Sequence, residues 1–160
     1  MSVFGDGYRY HVTGLIHDVR GFPTERRDEI TAFLNRIFRK ITQHLLDIQQ
    51  IEKEMTEDAE VLVIAYGSVS RSARRAVREA RENGVKAGLI QLVTLWPFPR
   101  QAVEPVLRRA RVALVPELNM GQMSREVKRI SQGATRIETL NRLDGNLITP
   151  GEILTRLVRM

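Results

Sequence analysis

A chain of 160 residues, 42% of them hydrophobic, has room for one α/β domain with an appendage, and no apolar run approaches the ~18 residues of a membrane-spanning helix. The chain has no cysteine, which excludes disulfides, thiolate zinc sites and iron–sulfur ligation by its own residues and fits a cytoplasmic protein. The formal charge of +6 admits an acidic partner, but Arg71, Arg74, Arg75, Arg78 and Arg81 alternate with Glu79 and Glu82, and no aromatic residues stand among them. That pattern is a solvated helix face rather than a nucleic-acid surface.

The chain opens with an irregular stretch from Met1 to about Pro23, with glycines at 5, 7, 14 and 21. Met1-Ser2-Val3-Phe4-Gly5-Asp6-Gly7 lacks the charged and apolar regions of a signal peptide. Gly5-Asp6-Gly7, with Asn35 further on, has nearly the spacing by which thiamine diphosphate enzymes hold magnesium through Asp and Asn oxygens. The context fails, because no buried strand leads into the glycines and Asn35 falls inside a helical pattern. The histidines His11, His17 and His44 share no metal-ligand spacing.

Behind Pro23, with Thr24 as the expected N-cap, the pattern predicts one long helix to about Thr56. Leu34, Ile37, Ile41, His44, Ile48, Ile51 and Met55 recur every three or four residues, as in a heptad seam. A helix of that length, at 1.5 Å per residue, outruns a domain of this size, so its stripe calls for a covering surface. The expectation is a homo-oligomer, with His44 at the contact. The domain plan is an N-terminal segment plus helix over 1–57 and an α/β domain over 58–160.

Four buried strands are expected near 61–66, 86–92, 111–116 and 135–140, with helices near 70–82, 99–110, 119–132 and 149–159. Asn83-Gly84 stops the first of these helices, and Thr149-Pro150 starts the last. Right-handed crossovers then give a three-layer α/β/α fold with a mainly parallel, doubly wound sheet, in order 2-1-3-4 counted from Val61, which also admits an antiparallel edge strand.

Function in such folds concentrates at the carboxyl edge of the sheet. There, Gly67-Ser68-Val69-Ser70 turns from strand to helix, and Ser68 or Ser70 is the expected cap. A phosphorylated ligand at this turn is the alternative, although the turn lacks the glycines of a dinucleotide fingerprint and the lysine of a P-loop. Glu117 and Asn119 close the third strand, Asn119 as N-cap and Glu117 as its electrostatic companion. No nucleophile–base–acid set assembles, so no catalytic, cofactor-binding or metal residue is assigned.

Three later blocks and one early one resemble the α subunit of 2-oxoacid:ferredoxin oxidoreductases, nearest the 2-oxoglutarate type. His11-Val12-Thr13-Gly14-Leu15-Ile16-His17-Asp18-Val19-Arg20-Gly21 is similar to the family's Thr-Gly-Leu-x-His-Asp-Glu-x-Gly. Ala65-Tyr66-Gly67-Ser68-Val69, Thr94-Leu95-Trp96-Pro97-Phe98-Pro99 and Glu117-Leu118-Asn119-Met120-Gly121-Gln122-Met123 are similar to its later blocks. Val19 stands where the family has an acid, and Pro116 where it favours a β-branched residue, which shortens the third strand's ladder.

The resemblance implies a transketolase-C-like domain of an enzyme that oxidatively decarboxylates a 2-oxoacid to acyl-CoA and CO2 and reduces ferredoxin. For that full enzyme it implies thiamine diphosphate, magnesium, coenzyme A and iron–sulfur clusters. It also implies a thiamine-site domain ahead of this segment and a β subunit. The chain then reads as a C-terminal, non-catalytic scaffold and subunit-contact part of an α subunit.

Overall fold

The structure is a computed structural model that describes residue 3, residues 5–9 and residues 12–160. His11 and Tyr10 lie outside the described residues. The chain forms two compact units, Met1–Leu45 and Leu46–Met160.

The first unit carries a short antiparallel bridge, His17 to Pro23, followed by α1 (Arg27–Thr42). Asp18 organises the loop within the bridge. Its Oδ1 accepts the N–H groups of Arg20 and Phe22 at 2.8 and 3.0 Å. The Phe22 N–H, aided by Arg20, holds this carboxyl below its ordinary value. Asp28 and Glu29 in the first turn of α1, and Arg39 and Lys40 in its last, oppose the helix dipole favourably. Thr24 is not the cap. Its hydroxyl accepts from Arg26 N–H and donates to Glu29, one turn before the helix, and Arg26 is the N-cap.

The single long helix expected to Thr56 does not form. The α1 helix ends at Thr42, where Gln43 N–H bonds to Arg39 O and His44 N–H to Ile41 O. A single turn, α2 (Leu45–Ile48), follows, and then β1 (Ile51–Glu54) runs antiparallel along the sheet edge. The heptad seam therefore breaks between helix and strand. The reason lies outside the segment: β1 satisfies the open backbone edge of its neighbour, and Glu52 and Glu54 meet arginines of a helix 20 to 24 residues away. Local periodicity cannot register either contact.

The second unit then alternates strand and helix: β2 (Val61–Tyr66), α3 (Val69–Glu82), β3 (Ala87–Leu92), α4 (Arg100–Leu107), β4 (Val112–Glu117), α5 (Gln122–Ser131), β5 (Arg136–Asn141) and α6 (Pro150–Val158). The sheet order is β1-β3-β2-β4-β5, with β3-β2-β4-β5 parallel. This is the expected order, with an antiparallel edge strand added. Alternate side chains of the central strands feed two cores. Val61, Val63, Ala65, Val112 and Leu114 pack with α3 and α6. Leu62, Ile64, Ala113 and Val115 pack with α4 and α5. The all-apolar strands follow from that two-sided burial.

The caps at two helix ends are as expected. Asn83 ends α3, and Gly84 takes φ +81°. Thr149 and Glu152 form a reciprocal capping box that brackets Pro150 at the start of α6. The Thr149 donors, backbone then hydroxyl, and Arg142 lower the Glu152 carboxyl from 4.5 to about 2.

Three arginines one helical turn apart tie β1 and the loop after it to α3. Arg74 donates to Glu52, Glu54 and Gln91. Arg78 donates to Glu54, and Arg81 to Asp58, Met55 O and Ala87 O. This loop passes directly over Gly88, where an added Cβ would stand 2.6 Å from the Met55 carbonyl oxygen and 2.8 Å from Ala59 Cβ. Gly88→Ala is therefore expected to lower stability by about 1–3 kcal/mol, as overpacking against backbone does. Urea denaturation checks this, and an unchanged midpoint would show that the loop yields freely.

Candidate functional site at the carboxyl edge of the sheet

β2 and β4 are the central pair, and the strand order reverses across them. β2 pairs with β3 over all six residues, but its register with β4 stops at Val63–Leu114. Pro116, whose nitrogen has no hydrogen to donate, lies just beyond that stop. The pairing with β5 nevertheless runs through Pro116–Leu140 to Glu117–Asn141. The expected shortening of the ladder thus falls on one side only, and it opens the crevice that doubly wound sheets use for ligands.

Side chains fill that crevice. Glu117 has no exposed surface. Its Oε2 accepts from Met123 N–H at 3.0 Å and from the Tyr66 hydroxyl at 3.1 Å, and its Oε1 accepts from Ser124 N–H at 3.0 Å. The carboxylate thus satisfies two of the open N–H groups at the start of α5. Asn119 Oδ1 accepts from Gly121 and Gln122 N–H, both at 2.9 Å, while its Nδ2 donates to the Tyr66 hydroxyl. Asn141 Nδ2 closes the ring on Asn119 O at 2.9 Å. Burial first, and then the Glu117 carboxylate, raise the Tyr66 phenol above its ordinary value, so it stays a proton donor; the Asn119 hydrogen bond opposes this.

The roles expected of Glu117 and Asn119 are thus redistributed. The α5 helix begins at Gln122, with Gly121 as N-cap. Asn119 serves the turn before the helix, and Glu117 is the side chain that caps the next two N–H groups. Gly121 must be glycine: its φ is +87°, and a Cβ would meet Ser124 Oγ at 2.9 Å. Both oxygens of Glu117 are thus taken up by hydrogen bonds within the fold.

The Gly67–Ser70 turn lies beside it. Gly67 takes φ +58°, and Ser70 N–H and Arg71 N–H bond to Gly67 O and Ser68 O. The expected hydroxyl cap is absent. Ser68 holds the N-cap position without a side-chain bond, and the buried Ser70 Oγ has no hydrogen-bond partner among the described residues.

The other sequence candidates lie in the first unit. Thr13 Oγ1 and His17 Nε2 lie 2.6 Å apart in the first unit, beside a hollow of about 350 Å³ lined by Asp18, Phe33 and Arg36 among others. Val19, at the position where an acid was expected, is fully exposed. Asn35 lies within α1. No three His, Cys, Asp or Glu side chains converge to hold a metal among the described residues. A sequence without cysteine supplies no thiolate ligands for a cluster.

Sequence reasoning missed Tyr66 as a bridge and the strand β1. Tyr66 carries a faint signal, as the one polar side chain ending an otherwise aliphatic strand. Glu117→Ala is expected to cost about 3 kcal/mol, because it strands buried donors, and Tyr66→Phe about 1 kcal/mol. Denaturation in urea measures both, and a loss for Glu117→Ala no larger than for a surface residue would show that the carboxylate is not the cap.

Comparison with known proteins gives consistent matches. The family described as pyruvate:ferredoxin oxidoreductase core domain II matches residues 59–153. The 2-oxoglutarate synthase subunit KorA of Methanothermobacter thermautotrophicus is 42% identical over 161 residues, which covers 100% of this chain and 43% of that protein. The chain thus spans less than half the length of this curated relative. A structure of 2-oxoglutarate:ferredoxin oxidoreductase from Magnetococcus marinus, with 2-oxoglutarate, coenzyme A and succinyl-CoA bound, superposes with a TM-score of 0.78 at 25% identity, covering 99% of this chain and 28% of that one. A split-gene transketolase shares the fold at a TM-score of 0.59 and 16% identity over 69% of this chain and 40% of its own.

Proposed function

The chain belongs to the pyruvate:ferredoxin oxidoreductase core domain II family, and we propose that it is part of the α subunit of a 2-oxoacid:ferredoxin oxidoreductase of the 2-oxoglutarate type. The whole enzyme would convert a 2-oxoacid to acyl-CoA and CO2 and reduce ferredoxin. In this reading the chain is a scaffold and subunit-contact domain, and the catalytic residues, thiamine diphosphate, magnesium, coenzyme A and clusters belong to other parts of the enzyme.

The observation that carries the reading is the similarity to KorA along the entire chain, supported by the TM-score of 0.78 over 99% of it. The site geometry agrees: the crevice where a doubly wound fold would seat a ligand is filled by Glu117, Tyr66 and Asn119. That weighs against a stand-alone module for phosphorylated ligands at Gly67–Ser70. The partners in this reading are a thiamine-site domain, a β subunit and ferredoxin, and the location is the cytoplasm.

Exchanging the matching segment of the M. thermautotrophicus subunit for this chain tests the proposal. The chimeric subunit is expected to assemble with its partners and keep coenzyme-A-dependent oxidation of 2-oxoglutarate, whereas a chimera that folds but does not assemble would defeat the reading. Self-association of the isolated chain belongs to the same reading. Leu34, Ile37 and Phe38 of α1 are exposed, and no residue of that helix is buried. Sedimentation over a range of concentrations checks this, and a monomer throughout would remove it.

A further inference from the structure

The exposed faces of α3 and α5 are rich in arginine and lysine, among them Arg71, Arg75, Arg78, Arg125, Lys128 and Arg129. The loops that leave the carboxyl ends of β3, β4 and β5 expose apolar side chains instead. Val93, Leu95 and Trp96 follow β3, Leu118 and Met120 follow β4, and Leu143 and Leu147 follow β5. All seven are exposed, Trp96 at 69% and Met120 at 71%. The first two loops, residues 93–99 and 118–121, carry no charged side chain. In the third, Arg142 is bound to Glu152 and to Leu147 O, and Asp144 receives Asn146 N–H.

These loops form one rim. β3, β2, β4 and β5 are consecutive in the sheet, and at about 4.8 Å per strand the rim is roughly 15 Å across. Leu118 and Leu143 line one small hollow with Arg142, Gly145 and Asn146, so the second and third loops touch the same space. At the Gly67 turn, which leaves the carboxyl end of β2 between β3 and β4, an added Cβ would find nothing within 4 Å.

At 150–250 Å² for a large side chain, the rim presents on the order of 700 Å² of apolar surface. A monomeric protein tolerates a patch of about 300–600 Å², and a standard interface takes about 800 Å² from each partner. Charge-poor loops that expose a tryptophan and a methionine have the composition of an interface core.

We infer that this rim is the face on which the remaining polypeptide of the same subunit docks. The inference rests on the proposed function. The occupant follows from length: all of this chain matches KorA, yet it spans 43% of that subunit, so more than half of the relative's polypeptide has no counterpart here. An apolar surface of interface size, built from three loops held by the sheet, suits a permanent neighbour in the same subunit. It does not suit a charged or transient one.

Trp96 is the only tryptophan of the chain, so oxidative footprinting read by mass spectrometry can follow it together with Met120. In the isolated chain both are expected to oxidise readily at every protein concentration. In the chimeric M. thermautotrophicus subunit, oxidation of both should fall by about tenfold, as in a dry interface core. Met120→Glu and Leu143→Glu change exposed positions and should leave the melting temperature of the isolated chain unaltered. In the chimera they should cut the assembled fraction at least ~tenfold, because each buries an unpaired charge.

A chimera that assembles while Trp96 and Met120 stay reactive, or while both glutamate variants assemble normally, overturns the inference and leaves the functional reading standing. Protection that appears in the isolated chain as its concentration rises assigns the rim to a second copy and also overturns the inference. A wild-type chimera that does not assemble defeats the functional reading, and the inference falls with it.

Discussion

Glu117 lies without exposed surface where β2 and β4 part, and both of its oxygens are taken. One face of the crevice comes from β2 through Tyr66, the other from the start of α5 through two backbone N–H groups. The carboxylate therefore holds three things at once: the ends of the central strands, the first turn of α5, and the Asn119 turn that links them. A buried charge is tolerated because charge-assisted hydrogen bonds replace the water it gave up. The same constraint keeps both Glu117 oxygens inside the fold.

A second set of charges works at the sheet edge, on different physics. The four residues of β1 bury little, so apolar contact alone would hold this strand weakly. Arg74, Arg78 and Arg81 supply the rest, gripping carboxylates and carbonyls of the edge strand and its loop. These pairs are partly exposed and individually weak. Their effect comes from sharing one helix face and from charge-assisted geometry around a strand already paired to β3. The excess of arginine that first suggests a polyanion partner is partly spent inside the fold.

The candidate site was legible in the sequence by position but not by role. Strand–helix alternation placed Gly67–Ser70, Glu117 and Asn119 at the carboxyl edge. The roles of Glu117, Ser68 and Ser70 were not visible, because capping depends on where a helix axis begins to within one residue. Because α5 starts at Gln122, Asn119 takes the first helical N–H and Glu117 the next two. Tyr66 could not be singled out, since its partners lie 51 and 53 residues away.

What the sequence determined alone is the doubly wound α/β unit from Val61 onward. The aliphatic runs of β2, β3 and β4, separated by amphipathic stretches with glycine or proline at their ends, have one low-energy reading: strands buried on both faces and crossed over by helices, with the more polar β5 at the edge. What only the tertiary structure decided is the fate of residues 43–56. Their spacing suits a continuing helix, but an unpaired strand edge and three arginines on α3 were available in space. Backbone hydrogen bonds to β3 and ion pairs to α3 outweighed helical propensity, which is worth only a few tenths of a kcal/mol per residue.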